Sequence, residues 1–316
     1  MVGQEVRAYA PATVANVVCG YDVLGFAIEQ PGDEVLVRAT ELIGVNLAKI
    51  EGDGGKLPLD NDKNVVSHVA RLFSRKIDAA HGVEIELYKN MPLNSGMGSS
   101  AASSAATLTA INELFGNPLT RPELLPLAME GEKLACGNAH ADNVAPALLG
   151  GLVLVRSYQP LDAVRLPFPA ALSVVALHPF VEVPTGEARK IIKDKISLKS
   201  AVQQWGNVAG LVAGCCTGDL DLIGRSMEDV IIEPVRAMLI PHFYELKELA
   251  LEKGALGFGI SGSGPSVFAL CGNDGVAHAV AAALESLLVG GGIGCSCYVT
   301  KINTEGAKVL TAPREA

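Results

Sequence analysis

Residues Pro92 to Ala102 read Pro-Leu-Asn-Ser-Gly-Met-Gly-Ser-Ser-Ala-Ala. They lie between a strand-like run, Val83–Tyr88, and a helical run, Ser99–Phe115. Gly96 and Gly98 carry no Cβ, so the backbone there can approach a ligand closely. The serines put hydroxyls at the helix start, where the first N–H groups have no intrahelical partner. The helix dipole adds partial positive charge at the same place. Together these predict an anion site, most naturally for phosphate. A glycine turn before an ordinary capped helix is the plainer alternative. The serine pair and the tiny residues behind it (Ala101, Ala102, Ala105, Ala106 and Ala110, with Ser103, Ser104, Thr107 and Thr109) favour the anion site. A helix this thin can lie close to a sheet with its N-terminus buried beside a ligand.

The better-known phosphate loops do not fit. The Walker loop needs Gly-x4-Gly-Lys-Ser/Thr; here Lys56 follows Gly55, but Leu57 follows Lys56. A dinucleotide pattern occurs at Gly257-x-Gly259-x-x-Gly262, but Pro265 and a strand-like run follow where a helix must begin. The Gly-x-Ser-x-Gly elbow is absent from both glycine loops. A nucleotide loop of non-Walker type remains. Other candidates have plain alternatives. Glu130 and Glu132, two apart on a helical run Arg121–Ala135 that begins after Thr120, face different sides, and either could be a solvated charge. Lys89 could be a strand-end lysine, His140 a structural histidine, Asp142-Asn143 a turn, and Ser261–Pro265 a hairpin turn.

Periodicity supplies the elements that must position these residues. A strand starts at Gln4, with Val6, Ala8 and Ala10 alternating, and Pro11 closes it. Val35, Val37 and Ala39 alternate next, and Val45–Ile50 extends a further strand. Glu51–Asp62 reads as a loop and Asn64–Ile77 as a helix. In the second half, Leu172–Leu177 reads as a strand, followed by helical runs at Gly186–Lys193, Ser200–Cys216, Leu220–Asp229 and Ile240–Lys253. Strands Ala255–Ile260 and Pro265–Cys271, a helix Ala277–Leu288 and a strand Cys295–Ile302 complete the chain. This order predicts an α+β protein with a ferredoxin-like α/β sandwich in its second half. The Pro-rich segment Tyr158–Pro169 predicts a division into residues 1–160 and 161–316.

Composition excludes several classes. With 49% hydrophobic and 19% charged residues in 316, the chain buries a large core rather than staying disordered. A net charge of −9 argues against nucleic acid, which needs clustered Lys and Arg. Seven cysteines without a Cys-x-x-Cys pair predict reduced thiols in the cytoplasm, not a disulfide framework or zinc site. The apolar stretch His278–Gly294 contains Glu285 and a glycine cluster and reads as a packed helix and turn, not a membrane span. No signal peptide is expected, and Trp205 is expected to be a minor part of the core.

Three stretches resemble the small-molecule kinase superfamily that includes galactokinase, homoserine kinase, mevalonate kinase and phosphomevalonate kinase. They are Arg7-Ala-Tyr-Ala-Pro-Ala-Thr-Val-Ala-Asn16 through Gly20-Tyr-Asp-Val-Leu-Gly25, the loop Pro92–Ala102, and Gly259-Ile-Ser-Gly-Ser-Gly-Pro-Ser266. The chain is most similar to the homoserine kinase branch, through Ala10-Pro-Ala-Thr13, His140-Ala-Asp-Asn-Val-Ala-Pro146 and Glu233-Pro-Val-Arg236 with Ile240-Pro241. It departs from the family at Cys19 (usually glycine), Tyr21 (usually phenylalanine) and Met97 (usually leucine).

The resemblance implies an N-terminal ribosomal-protein-S5-domain-2-like domain that binds ATP, and a C-terminal ferredoxin-like domain. It implies transfer of the ATP γ-phosphoryl to the side-chain hydroxyl of L-homoserine, in threonine biosynthesis, by a cytoplasmic enzyme with Mg²⁺, no nucleic-acid or membrane partner and a possible homodimer. Carried onto this sequence, Pro92, Leu93, Asn94, Ser95, Gly96, Met97, Gly98, Ser99, Ser100, Ala101 and Ala102 form the nucleotide loop, with Asn64 and Lys89 facing the nucleotide. Ser100 and Glu132 hold Mg²⁺, with Glu130 as competitor. Asp22 pairs with the substrate ammonium, and Arg189 and Arg236 grip its carboxylate, a partner suited to the guanidinium fork. Asn16, His140, Asn143 and Gly262 complete the substrate site. Asn143 stands near where some relatives carry an aspartate, Thr185 is a contact of the acceptor, and no general base stands out. A sister kinase of another small alcohol, mevalonate-type, is the alternative; Asp22 with the two arginines favours an amino acid, because mevalonate has no ammonium. A non-catalytic ligand-binding relative is the third reading, against which Ser100, Glu132 and the intact loop argue.

Overall fold

The computed structural model describes residues 2–181, 191–192 and 195–311. Two long antiparallel strands, β1 (Glu5–Ala15) and β2 (Leu24–Thr40), organise the first sheet. β3 (Val45–Glu51) runs parallel to β4 (Gly82–Tyr88), which pairs with the second half of β2. The start of β2 pairs instead with β5 (Leu152–Tyr158), and β6 (Leu161–Leu166) folds back on β5. Val35, Val37 and Ala39 are buried where Arg38 and Thr40 are only partly so, as the alternation predicts.

Four helices cover this sheet: α1 (Val65–Lys76), α2 (Ser99–Leu114), α3 (Arg121–Cys136) and α4 (Ala141–Leu149). α2 is the central one, packed on β1 and β2 and flanked by the other three. Its alanines explain how it fits: Ala101, Ala102, Ala105 and Ala106 have no exposed surface. On the facing helix, a Cβ added at Gly131 would lie 2.4 Å from Ser104 Oγ. Small residues on both sides allow this close approach.

The second sheet has the order β10 (Cys295–Lys301), β7 (Ser173–Pro179), β9 (Val267–Cys271), β8 (Gly257–Ile260), antiparallel throughout. α5 (Leu198–Thr217), α6 (Leu220–Ser226), α7 (Glu233–Arg236) and α8 (Phe243–Glu252) lie between β7 and β8 in the chain, and α9 (Asp274–Gly290) between β9 and β10. The first strand of the sheet sits between its fourth and third, which is the ferredoxin-like arrangement expected. Phe243, Leu246, Phe258, Val280, Leu284 and Leu288 form the core between α8, α9 and this sheet.

Three expectations need revision. Pro11 does not close β1; the strand continues to Ala15 after a register shift between Pro11 and Thr13, which absorbs the proline. The division at 160/161 falls in the turn of the β5–β6 hairpin, so residues 161–166 stay with the first sheet. The last strand, β11 (Lys308–Leu310), also returns there to pair with β1. Trp205 is 62% exposed and takes no part in the core. The helix expected at Gly186–Lys193 lies almost wholly outside the described residues.

Gly25 ties the fold to the site. A Cβ there would lie 1.8 Å from the backbone oxygen of Asp142, so β2 and α4 touch main chain to main chain. No rotamer change can relieve that clash. Gly25→Ala is therefore expected to displace α4 and destabilise the protein by about 2 kcal/mol or more, read as a fall in thermal unfolding temperature. A temperature within a degree or so of the parent's would show that α4 yields freely.

Candidate active site

The start of α2 differs from the expected cap. Gly98 occupies the N-cap in the left-handed region (φ 69°), which leaves no side chain to bond the first turn. Ser99 and Ser100 are the first two helical residues rather than caps. Ser99 Oγ is buried without a partner among the described residues, and Ser100 Oγ donates to Glu132 Oε1 at 2.5 Å. The first-turn N–H groups carry no side-chain cap and sit at the wall of a cavity of about 950 Å³ lined by Gly96, Gly98, Ser99 and Ser100. An uncapped helix start at a cavity has the geometry to take an anion.

The two loop glycines serve the protein's own packing first. A Cβ on Gly98 would lie 2.0 Å from Thr13 Oγ1, and one on Gly96 2.5 Å from Ser261 O. Thr13 N donates to Met97 O (3.0 Å), Ser261 Oγ to Gly96 O (2.9 Å) and Ser266 N to Ser95 O (3.1 Å). The glycine loop is thus clasped between β1 and the Ser261–Ser266 loop of the second sheet.

Beside this loop lies a polar cluster on the 16–22 turn. Asn16 and Asp22 both take left-handed φ. Asp22 N donates to Asn16 Oδ1 (3.0 Å), and Tyr158 Oη donates to Asp22 O (2.9 Å). His140 Nδ1 stands 3.6 Å from Asp22 Oδ1. Gly262 O accepts from both Asn16 Nδ2 (2.8 Å) and Arg236 Nη1 (3.0 Å). The Arg236 guanidinium lies 5.1 Å from the centre of the Tyr21 ring. Asn143 Oδ1 accepts from Thr13 Oγ1 at 2.7 Å, directly under Gly98.

The cavity gathers most of the residues expected from sequence: Asn16, Asp22, Asn64, Lys89, Leu93, Asn94, Ser95, Gly96, Gly98, Ser99, Ser100, Glu132, His140, Asn143, Arg236 and Gly262. Pro92, Met97, Ala101 and Ala102 do not line it. Met97, in the loop before α2, is buried, and so are Ala101 and Ala102, because α2 turns those residues to the protein interior. Asn64 caps α1, accepting from Val66 N and donating to Pro58 O. Thr185 and Arg189 lie outside the described residues. Tyr21, Ser103, Asp142 and Ser263 line the cavity although they were not among the expected site residues, and Thr13 and Asp33 bond to lining residues, Asn143 and Lys89. Thr13 belonged to a quoted motif; Asp33 carries no local signal.

Glu132 is the carboxylate that could hold a metal. It is 6% exposed, whereas Glu130 forms an exposed pair with Lys133. Burial pushes the Glu132 carboxyl above the usual range, opposed by the Ser100 hydroxyl and the Lys89 charge. A buried carboxylate with a hydroxyl beside it, at the mouth of a phosphate site, fits Mg²⁺, which takes one or two protein oxygens and the phosphates. Among the described residues no group of three His, Cys, Asp or Glu gathers as a self-sufficient metal site, and none is needed for that mode of binding. None of the described helices is long and apolar enough to cross a membrane.

The comparisons agree with this geometry. Residues 64–151 match the GHMP kinases N terminal domain and residues 211–290 the GHMP kinases C terminal. The chain is 49% identical to a homoserine kinase of Chloroherpeton thalassium, over 97% of this chain and 100% of that protein. It is 40% identical to a homoserine kinase of Xylella fastidiosa, over 97% and 94%. The crystal structure of homoserine kinase from Cytophaga hutchinsonii superposes with a TM-score of 0.95 at 54% identity, over 97% of both chains. Mevalonate kinase from L. major, in complex with R-mevalonate, shares the fold alone (TM-score 0.71, 16% identity, 93% and 95% covered).

The raised Glu132 carboxyl has a stability consequence. The folded state holds this proton more tightly than the unfolded chain does. Its contribution is therefore most favourable at acid pH and is lost as pH rises from the ordinary carboxylate value through the raised one. Metal-free Glu132→Gln is expected to unfold at a higher temperature than the parent at neutral pH, with the gap narrowing in acid. An equal or lower temperature at neutral pH would mean that burial does not strain this group.

Proposed function

We propose how the cleft divides its work in a chain that belongs to the homoserine kinase family of the GHMP kinases. The enzyme catalyses ATP-dependent phosphorylation of the side-chain hydroxyl of L-homoserine to O-phospho-L-homoserine. Such transfers depend on positioning and charge stabilisation more than on covalent chemistry. The observation that carries this reading is the glycine-capped start of α2, open to the cavity with Glu132 alongside.

In this reading the first-turn amides of α2 and the backbone of Asn94–Gly98 take the ATP phosphates. Ser100 and Glu132 hold Mg²⁺, which when bound neutralises charge on the phosphate oxygens. Homoserine lies across the 16–22 turn. Asp22 meets its ammonium, with His140 beside that carboxylate. Arg236 meets its carboxylate, together with Arg189. Asn143, fixed by the Thr13 hydroxyl, stands between this end and Gly98 and orients the attacking hydroxyl, with Thr185 as a further contact. A cytoplasmic location, a place in threonine biosynthesis and a homodimer belong to the same reading.

Ser100→Ala is expected to lower kcat by about tenfold to a hundredfold, with recovery on raising Mg²⁺. A coupled ADP assay reads it, and an unchanged rate at all Mg²⁺ concentrations removes Ser100 from the metal. Arg236→Lys is expected to raise the KM for L-homoserine with a smaller change in the KM for ATP, since an ammonium cannot reproduce the two-pronged grip on a carboxylate. Equal changes in both constants would place Arg236 elsewhere.

A further inference from the structure

Lys89 follows β4 directly, and Asp33 sits within β2. Their side chains pair with 2% and 0% exposed. An ammonium has three protons to donate. Those of Lys89 have three acceptors: Asp33 Oδ2, Ser99 O (3.1 Å) and Ser103 Oγ (2.9 Å). The Asp33 carboxylate is equally engaged. Its Oδ1 accepts from Asn90 N at 3.0 Å, and Ser103 Oγ lies 3.1 Å from Oδ2.

Lys89 lines the nucleotide cavity, and the family resemblance would make it a nucleotide contact. Its bonding argues otherwise. To reach a phosphate it would have to leave a buried carboxylate and two further acceptors, stranding a charge inside the protein. Its bonds instead join three segments that must stay in register. These are β2 through Asp33, the exit of β4 through Lys89 and Asn90, and the first turn of α2 through Ser99 and Ser103. Between Asn90 and Gly98 the chain passes through left-handed residues at Asn94, Gly96 and Gly98. The loop is clasped at Ser95, Gly96 and Met97, but those bonds stop short of the helix. The pair bonds the helix itself, at Ser99 and Ser103. Because the two charges oppose each other, the pair adds geometry rather than net field.

We propose that Asp33 and Lys89 are positioning residues for the nucleotide, a buried pair that locks the first turn of α2 in register with β2 and β4 without contacting the phosphates. The inference rests on the reading that ATP phosphates occupy the start of α2.

The test compares full-length Asp33→Asn, Lys89→Met, the neutral double variant Asp33→Asn/Lys89→Met, and Ser100→Ala, each by KM for ATP, KM for L-homoserine, kcat and unfolding temperature. Both single variants are expected to impair use of ATP, as kcat/KM, by about tenfold or more, while KM for L-homoserine moves by less than about threefold. The double variant carries no unpaired buried charge, so it should recover unfolding temperature without recovering ATP kinetics. It also supplies the measurement if a single variant fails to fold. Loss with Lys89→Met but not with Asp33→Asn would make Lys89 a direct ligand and overturn the proposal. A double variant with parental ATP kinetics would overturn it as well. If Ser100→Ala alone is impaired, the positioning role fails while the phosphate site stands; if none of the four is impaired, the phosphate site fails and the proposal with it.

Discussion

The first turn of α2 has to keep its backbone N–H groups available to a ligand while sitting deep in the protein. Several other helices of this chain use a side chain at that position: Asn64 caps α1, Ser197 α5, Asp219 α6 and Asn273 α9. A capping oxygen on α2 would compete with the anion for the same donors. Gly98 removes the competitor, and no acid occupies the first turn. The cap's lost stabilisation, only a few tenths of a kcal/mol where glycine takes the place, is offset by burial, since nearly every residue from Ala101 to Ala110 is packed. The alanine-rich sequence of α2 and its bare start are two sides of one solution.

Holding that start in place requires contacts on every side. β1 contributes Thr13, whose hydroxyl fills the space a side chain at Gly98 would need. The second sheet contributes the Ser261–Ser266 loop, whose Ser266 N bonds to Ser95 O and whose Ser261 hydroxyl bonds to Gly96 O. The same loop offers Gly262 O to Asn16 and Arg236, residues assigned to homoserine in the proposed reading. On that reading, the nucleotide end and the substrate end meet on one short segment. Bringing two reactants into line is the main task in phosphoryl transfer, and a shared anchor keeps their separation fixed.

Much of this was legible in the sequence because it depends on local pattern. α2, the ferredoxin-like strand order and the spacing of the three glycine-bearing motifs all follow from periodicity and small-residue runs. The misses are non-local. Pro160 and its neighbours looked like a boundary because prolines mark turns, and strand pairing of Leu161–Leu166 with β5 cannot be read from one segment alone. Serines at a helix start looked like caps, but the left-handed Gly98 shifted them one turn position inward. Ala101 and Ala102 belong to the loop's motif yet face the core, since a helix shows only part of its circumference to any one cavity; Met97, ahead of the helix, is buried as well. The partner of Lys89 is 56 residues away on β2, beyond any spacing rule.

Two buried charges flank the start of α2, and their surroundings explain how an acidic protein binds an acidic nucleotide. The chain has a net charge of −9, and the lysine nearest the loop, Lys89, is neutralised by Asp33. Glu132, across the turn, is buried against only a hydroxyl and a more distant ammonium. In the proposed reading, attraction for phosphate comes from oriented backbone amides and from a cation that Glu132 helps to hold, alongside Lys56 and Lys63, which also line the cavity. Amides of this kind are already in place before the ligand arrives, so they need no reorganisation when charge moves during transfer. On that reading, a cation recruited with the nucleotide would relieve the burial of Glu132 only when ATP is present, so that the buried carboxylate beside bare amides would favour an anion that brings its own metal.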